Sequence, residues 1–225
     1  MPEARSNRLR ELLGVNGPDL PRFASRCANE LPDISGISIV VVGGINVSGL
    51  VSAAGQRSER LAELQLTMGE GPGTDAYRTG QPVLIADLSA VESQGRWPGF
   101  ASAAVDLGVK AMFGFPLQLG AIRIGTLDLH RVITGPLSGE ELPIALVCAE
   151  AATMLLLGAA AMPGDSLLSH RAVIHQATGM VMVQLESNIE EAFVRLRAHA
   201  YASGQPLGEL AQDVVDRRMR FQANS

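Results

Sequence analysis

Lys110-Ala-Met-Phe-Gly-Phe-Pro-Leu-Gln-Leu-Gly-Ala-Ile-Arg-Ile-Gly-Thr-Leu-Asp-Leu-His130 holds two apolar, β-prone runs joined tightly at Gly120. Residues 110–119 and 122–130 therefore read as two strands, and so short a link between them demands an antiparallel pair. Upstream, Gly36–Val42 reads as a strand ended by Gly43-Gly44, and Gly49–Ala54 as its antiparallel partner. Pro82–Ala86 is strand-like and stops at Asp87. Helical patterns flank these runs. Leu9, Leu12, Leu13, Leu20, Phe23 and Cys27 form a pattern broken between Gly14 and Pro21. Ser58–Met68 reads as helix or loop, and Gly69-Glu-Gly-Pro-Gly73 as a turn leading into a short helix around Thr74–Thr79. Gly99–Leu107 reads as a helix ended by Gly108. Ser138 caps a long helix to about Ala161, with Glu140 and Glu141 at its positive dipole end. An antiparallel sheet with helices packed on it is an α+β architecture.

The chain changes character at Met162-Pro163-Gly164-Asp165. Proline and glycine stop one helix there, and Asp165 or Ser166 can cap the next. Three amphipathic helices follow with almost no strand signal. The first, Ser169–Glu186, presents Ile174, Ala177, Val181 and Leu185 on one face. The second, Ile189–Ser203, is capped by Asn188, ended by Gly204, and buries Ile189, Ala192, Phe193, Leu196 and Ala200. The third opens at Pro206, buries Leu207, Leu210, Ala211 and Val214, and runs to roughly Phe221. The expected organisation is an N-terminal segment 1–19, an α+β domain 20–162, a linker 163–168 and a small all-α domain 169–222.

The 225 residues are 47% hydrophobic and 18% charged, enough for a sizeable core. The net charge is −5, so any nucleic-acid contact must use a local patch. Lys110 is the only lysine. Cys27 and Cys148 are far apart in sequence and define neither a disulfide framework nor a zinc site. The N-terminus has interleaved charges and no apolar signal-peptide core, which suits a cytoplasmic protein. The apolar stretch 142–162 contains Pro143 and Glu150, and its charge-free part spans only 14 residues, so it reads as a buried helix and not as a membrane span. Leu146, Ala149, Thr153, Leu156 and Ala160 recur on it at three- and four-residue spacing. That stripe is expected to form a helix–helix seam in a homodimer.

Catalytic chemistry finds little support. Glu70, Asp75, Asp87 and Asp106 lie in or beside loops, where turn and cap roles suffice. Gly69–Gly73 lacks the Lys-Ser or Lys-Thr of a phosphate loop, and Pro72 removes a donor. His170 and His175 are five apart, not four as a helical zinc pair requires, and neither a metal nor another cofactor is expected. Cys27 and His130 are the residues on which an enzyme would have to depend. The arginines of the C-terminal region are more informative. Arg171, His175, Thr178 and Met182 share one helix face, with Gln176 beside it. Arg195 and His199 pair on the second helix near Arg197, and Arg217, Arg218 and Arg220 cluster at the expected end of the third. Guanidinium planes stack on exposed RNA bases and fork onto phosphates.

The pattern of Ile174, Ala177, Gly179 and Met182, then Glu191-Ala-Phe193 with Leu196-Arg197, then Leu210-Ala211 and Val214, resembles an ANTAR domain over residues 166–222. Thr178 stands where that family often has lysine. Residues 20–160 are similar to a GAF domain through Gly69–Gly73 with Asp75-Ala76, Pro82–Leu88, Trp97-Pro98, Phe115-Pro-Leu117 and Gly125-Thr-Leu-Asp-Leu129. The resemblance implies a GAF sensor, receiving an unknown small-molecule or protein signal, and an ANTAR region that binds RNA stem–loops in nascent transcripts and promotes antitermination. Arg171, His175, Gln176, Arg195 and Arg197 are the expected RNA contacts, with Arg217 and Arg218 secondary. Other readings are a GAF sensor whose helical tail recruits a protein without nucleic acid, and a helix-turn-helix DNA repressor.

Overall fold

The computed structural model describes residues 2–13, 20–43, 47–160 and 167–222. Helices α1 (Pro2–Leu13) and α2 (Leu20–Glu30) lead into strands β1 (Gly36–Gly43) and β2 (Val47–Ala54). Helices α3 (Ser58–Met68) and α4 (Pro72–Thr79), strand β3 (Val83–Ile85), and helices α5 (Val91–Arg96) and α6 (Pro98–Asp106) form the middle. Strands β4 (Ala111–Leu119) and β5 (Ile122–Arg131) and helix α7 (Glu141–Ala160) close the front domain. Helices α8 (Leu167–Leu185), α9 (Ile189–Ser203) and α10 (Leu207–Val215) follow. The α+β expectation holds.

The five strands form one sheet in the order β2-β1-β5-β4-β3, every pair antiparallel. Register separates its two faces. Ile37 lies opposite Leu129, and Leu129 opposite Phe113; Ile39 lies opposite Leu127, and Leu127 opposite Phe115. These six residues are buried in one core with Phe23 and Cys27 of α2 and Cys148 and Ala152 of α7. Complete burial of each large apolar side chain contributes about 1.5–3 kcal/mol. The alternate residues Ser38, Val40, Thr126 and Asp128 face the other way, since strand side chains alternate with period two.

Helix α4 lies close over that second face. A Cβ at Gly114 of β4 would come within 2.7 Å of the Pro72 carbonyl carbon, and one at Gly73 within 2.3 Å of Asp128 Oδ1. Only glycine at both positions lets helix and sheet approach this closely.

Helix α7 begins with a reciprocal cap. The Glu141 amide donates to Ser138 Oγ at 3.2 Å, and the Ser138 amide to Glu141 Oε2 at 2.7 Å. Its expected dimer stripe is largely internal: Ala149, Thr153 and Leu156 are buried within this chain, where α1, α2, β4 and β5 all pack on α7, and the side chain of Ala160 lies outside the described residues. Leu146 is exposed, as are Met154 and Leu157. Among the described residues no helix is long and apolar enough to cross a membrane.

The boundary expected near 163–168 falls partly on residues 161–166, outside the described residues. Beyond it, Ile174, Ala177 and Val181 of α8, Ala192, Phe193, Leu196 and Ala200 of α9, and Leu207, Leu210, Ala211 and Val214 of α10 form a second core. Asn188 caps α9 by accepting from the Glu191 amide at 2.9 Å, and Gly204 ends it in the left-handed conformation.

The third helix is shorter than the sequence suggests. Pro206 is its N-cap residue, and it ends at Val215, not near Phe221. The amides of Arg218 and Met219 turn back to the Asp213 carbonyl, and Arg217 takes φ +61°. The following segment returns across the bundle: the Phe221 amide donates to Gln184 Oε1 at 2.8 Å, and its ring meets His199 edge-on at 5.3 Å.

Candidate ligand cavity and nucleic-acid interface

The second sheet face borders a cavity of about 380 Å³. Gln65 of α3, Tyr77 and Arg78 of α4, Arg123 and Asp128 of β5, and Phe193 and Arg197 of α9 line it. Both the front domain and the C-terminal helices therefore contribute to its wall.

Gln65 fixes the cavity's polar end. Its Nε2 donates to Asp128 Oδ2 at 2.8 Å, and its Oε1 accepts from the Gly73 amide at 2.8 Å. Thr126 Oγ1 also reaches Asp128 Oδ2, at 3.4 Å. Among the described residues, Asp128 Oδ1 has no hydrogen-bond partner. Burial dominates over the Gln65 and Thr126 hydrogen bonds and pushes the Asp128 pKa up to about 7.

The arginines are held by backbone and carboxylate groups. Arg123 Nη1 donates to the carbonyls of Tyr77 at 3.0 Å and Arg78 at 2.6 Å. Arg78 Nη1 donates to Asp75 Oδ1 at 2.9 Å. Arg197 Nε donates to the Thr67 carbonyl at 3.1 Å, and its guanidinium lies over Gly69. Gly69 has φ +66° and no room for a Cβ, which would overlap the Arg197 guanidinium. Arg197 also stacks over Phe193, 5.7 Å from the ring centroid. Burial lowers the Arg197 pKa, with partial compensation from Glu70.

Three of the four acids that sequence alone leaves open, Glu70, Asp75 and Asp87, have structural partners. Asp75 accepts from Arg78, Arg96 and the Trp97 indole. Glu70 Oε2 accepts the amides of Gly99 and Phe100 at the start of α6. Asp87 accepts from Ser89. His130 is buried, and burial followed by the nearby Arg57 charge brings its pKa down to about 4. Cys27 and Cys148, remote in sequence, meet in the core; the Cys148 thiol and then burial raise the Cys27 pKa. A thiol held protonated is a poor nucleophile.

A second concavity, of about 570 Å³, lies on the C-terminal bundle. Gln176, Gly179, Val183 and Gln184 of α8 line it with Arg217 and Arg220 of the returning segment. The structure thus joins Gln176 and Arg217. Arg195 is exposed on α9. Arg197 instead faces the front domain, and Arg218 forms ion pairs with Asp213 at 2.8 Å and Asp216 at 2.7 Å. The side chains of Arg171 and His175 lie outside the described residues. Thr178 does not share an open face with them: it is fully buried, and its hydroxyl donates to the Ile174 carbonyl at 2.7 Å.

The GAF domain family model matches residues 7–156. The chain belongs to the GAF family. The ANTAR domain model matches residues 166–215, so an ANTAR domain follows the GAF domain. GAF is a sensor family and ANTAR an RNA-binding antitermination family. The fold is shared with the GAF domain of a phosphoenolpyruvate-protein phosphotransferase from Coxiella burnetii, at 17% identity and TM-score 0.54 over 70% of this chain and 95% of that one. It is also shared with free methionine-R-sulfoxide reductase from Neisseria meningitidis in complex with its substrate, at 14% identity and TM-score 0.52 over 71% and 89%. A third similar structure, from Staphylococcus aureus in complex with substrate, has 15% identity and TM-score 0.51 over 68% and 94%. No curated protein matches.

Sequence reasoning quoted Asp128 only as part of a GAF-like segment, and it missed Gln65 and Arg123. Asp128 is the lone acid of β5 and stands between the apolar Leu127 and Leu129, a signal that could have marked it.

Proposed function

We propose that this protein is an RNA-binding regulator of transcription termination. Its ANTAR domain engages stem–loops in nascent transcripts, and its GAF domain receives the controlling signal. The carrying observation is the ANTAR match over 166–215, on a bundle whose α8 groove combines Gln176 with Arg217 and Arg220. An amide can hydrogen-bond a base edge, while arginines stack on bases or fork onto phosphates. Arg195 of α9 supplies a further exposed cation, and Arg171 and His175 belong to α8. Arg197 and Arg218 join the interface only after leaving the partners described above. The regulator acts as a homodimer, which presents two ANTAR domains to paired loops.

Binding to a tandem hexaloop RNA, against a loop-scrambled control at several salt concentrations, tests this reading. Loop-dependent binding supports it. Equal binding to both RNAs that vanishes with salt overturns it and favours a tail that recruits a protein, for which the exposed Val194 and Tyr201 of α9 supply apolar surface.

A further inference from the structure

Helix α10 ends in a hydrogen-bonding pattern that ordinarily calls for glycine. The Arg218 amide donates to the Asp213 carbonyl at 2.8 Å and the Arg217 amide to the Val214 carbonyl at 3.0 Å, the paired bonds of a Schellman motif. Arg217 holds the left-handed position of that motif, at φ +61°. An L side chain strains the backbone there, and glycine would not. Arg218 secures the turn: it pairs with Asp213 and Asp216, while Gln205 Nε2 donates to Asp213 Oδ2 at 2.8 Å. Met219 and Phe221 then pack on the second core, and the Phe221 amide reaches Gln184 of α8. Arg217 and Arg220 are left on the groove of about 570 Å³, whose lining includes Gln176 and Val183 and no carboxylate. Val183 is 72% exposed there. Among the described residues neither arginine has an acid partner, whereas Arg218 takes both Asp213 and Asp216. Two guanidiniums gathered on one groove without a counter-charge favour an anion between them. The ANTAR family model ends at residue 215, so both arginines lie beyond it.

We propose that residues 216–222 extend the RNA interface beyond the ANTAR fold and make the α8 groove a receptor for one unpaired nucleotide. The proposal rests on the RNA-binding reading above and names the part of the RNA that this groove takes. Arg217 and Arg220 receive the phosphate, to which guanidinium groups fork. The base lies over Val183, with its edge toward the Gln176 amide. A base inside a duplex is stacked and paired, so its face is closed to such a wall, and the groove selects unpaired nucleotides. Gln184 is a positioning residue: by accepting the Phe221 amide it fixes the returning segment and so places Arg220. Arg217 is strained, but a glycine at that turn would bring no guanidinium to the groove.

The test uses the full chain, an unstructured RNA oligonucleotide and the blunt duplex that it forms with its complement, titrated at several salt concentrations. The single strand is expected to bind more tightly than the duplex. Arg217→Gly should weaken single-strand binding about tenfold, the effect of losing a charge-assisted hydrogen bond. It should also lower the slope of log affinity against log salt by about one. Its melting temperature should not fall, since glycine relieves the left-handed backbone. Arg220→Gln should weaken binding and lower the slope in the same way. Val183→Ser should reduce the preference for the single strand and leave the slope unchanged. Gln184→Met should weaken binding in the wild type but not in the Arg220→Gln background, as expected of a residue that acts through another. Equal or tighter binding of the duplex, or affinity and slope unchanged in both arginine variants, overturns the proposal. An equal effect of Gln184→Met in both backgrounds overturns its positioning role. The hexaloop RNA and its scrambled control are titrated in parallel. If those two bind alike while the arginine-dependent preference for the single strand persists, the antitermination reading fails and the groove stands. If no RNA binds, both fall.

Discussion

Arg197 of α9 donates to the backbone carbonyl of Thr67 at 3.1 Å, joining residues 130 positions apart in the chain. This one bond, with Phe193 on the same helix and Leu66 packed against the second core, ties the ANTAR domain to the GAF domain. It also divides the α9 arginines: Arg195 is exposed, while Arg197 is held.

Arg195→Ala is expected to weaken RNA binding across sequences and to lower the slope of log affinity against log salt by about one. Salt titrations of wild type and variant measure this directly. An unchanged slope removes Arg195 from the phosphate contacts.

Asp128→Asn should remove a loss of stability that the wild type suffers as pH rises. The folded-state pKa is raised from the ordinary 3.8 to about 7, so the folded protein retains a proton that the unfolded chain has released. The associated stability is fully present below the unfolded value and is lost as pH rises through about 7. The melting temperature of the variant relative to wild type should therefore increase from acid to neutral pH. His130 has the opposite linkage, but it is common to both proteins and cancels in the difference.

Glu141→Gln should destabilise the GAF domain by about 1–3 kcal/mol, because buried Arg131 loses its charged partner. Burial acts to raise the Glu141 pKa, but the hydrogen bonds from Arg131 and Ser138 outweigh it, and the net shift is downward. Its stabilisation is present above the unfolded value and lost as pH falls through the folded one. Acid unfolding curves should show a shallower limb for the variant than for wild type.

Thr178→Lys, which installs the residue the ANTAR family often carries, is expected to destabilise the bundle by about 1–3 kcal/mol without raising RNA affinity. Thr178 is fully buried, so the ammonium must reach water at the expense of packing. Thermal melts and RNA titrations on the same preparation separate the two effects. A stable variant with tighter RNA binding contradicts the burial argument.

The sheet was legible because strand periodicity is local: Lys110–His130 carries two strands and their turn in one window. The α9 boundaries were legible for a similar reason, since Asn188 and Gly204 are chemically suited to begin and end a helix. The dimer stripe misled because spacing reveals an apolar face but not what covers it, and Ala149, Thr153 and Leu156 are covered within this chain. The end of α10 misled because residues 216–221 are compatible with helix; the turn of two amides back to Asp213 stops it. The cavity was least legible. Gln65, Asp128 and Arg197 come from three distant segments, and only tertiary packing brings them together.

The cavity is also assembled from parts that exist at different times. Translation completes the sheet and α7 while α9 is still unmade, and domains fold largely in the order in which they emerge. The newborn GAF domain therefore presents its pocket before Phe193 and Arg197 arrive to close over it.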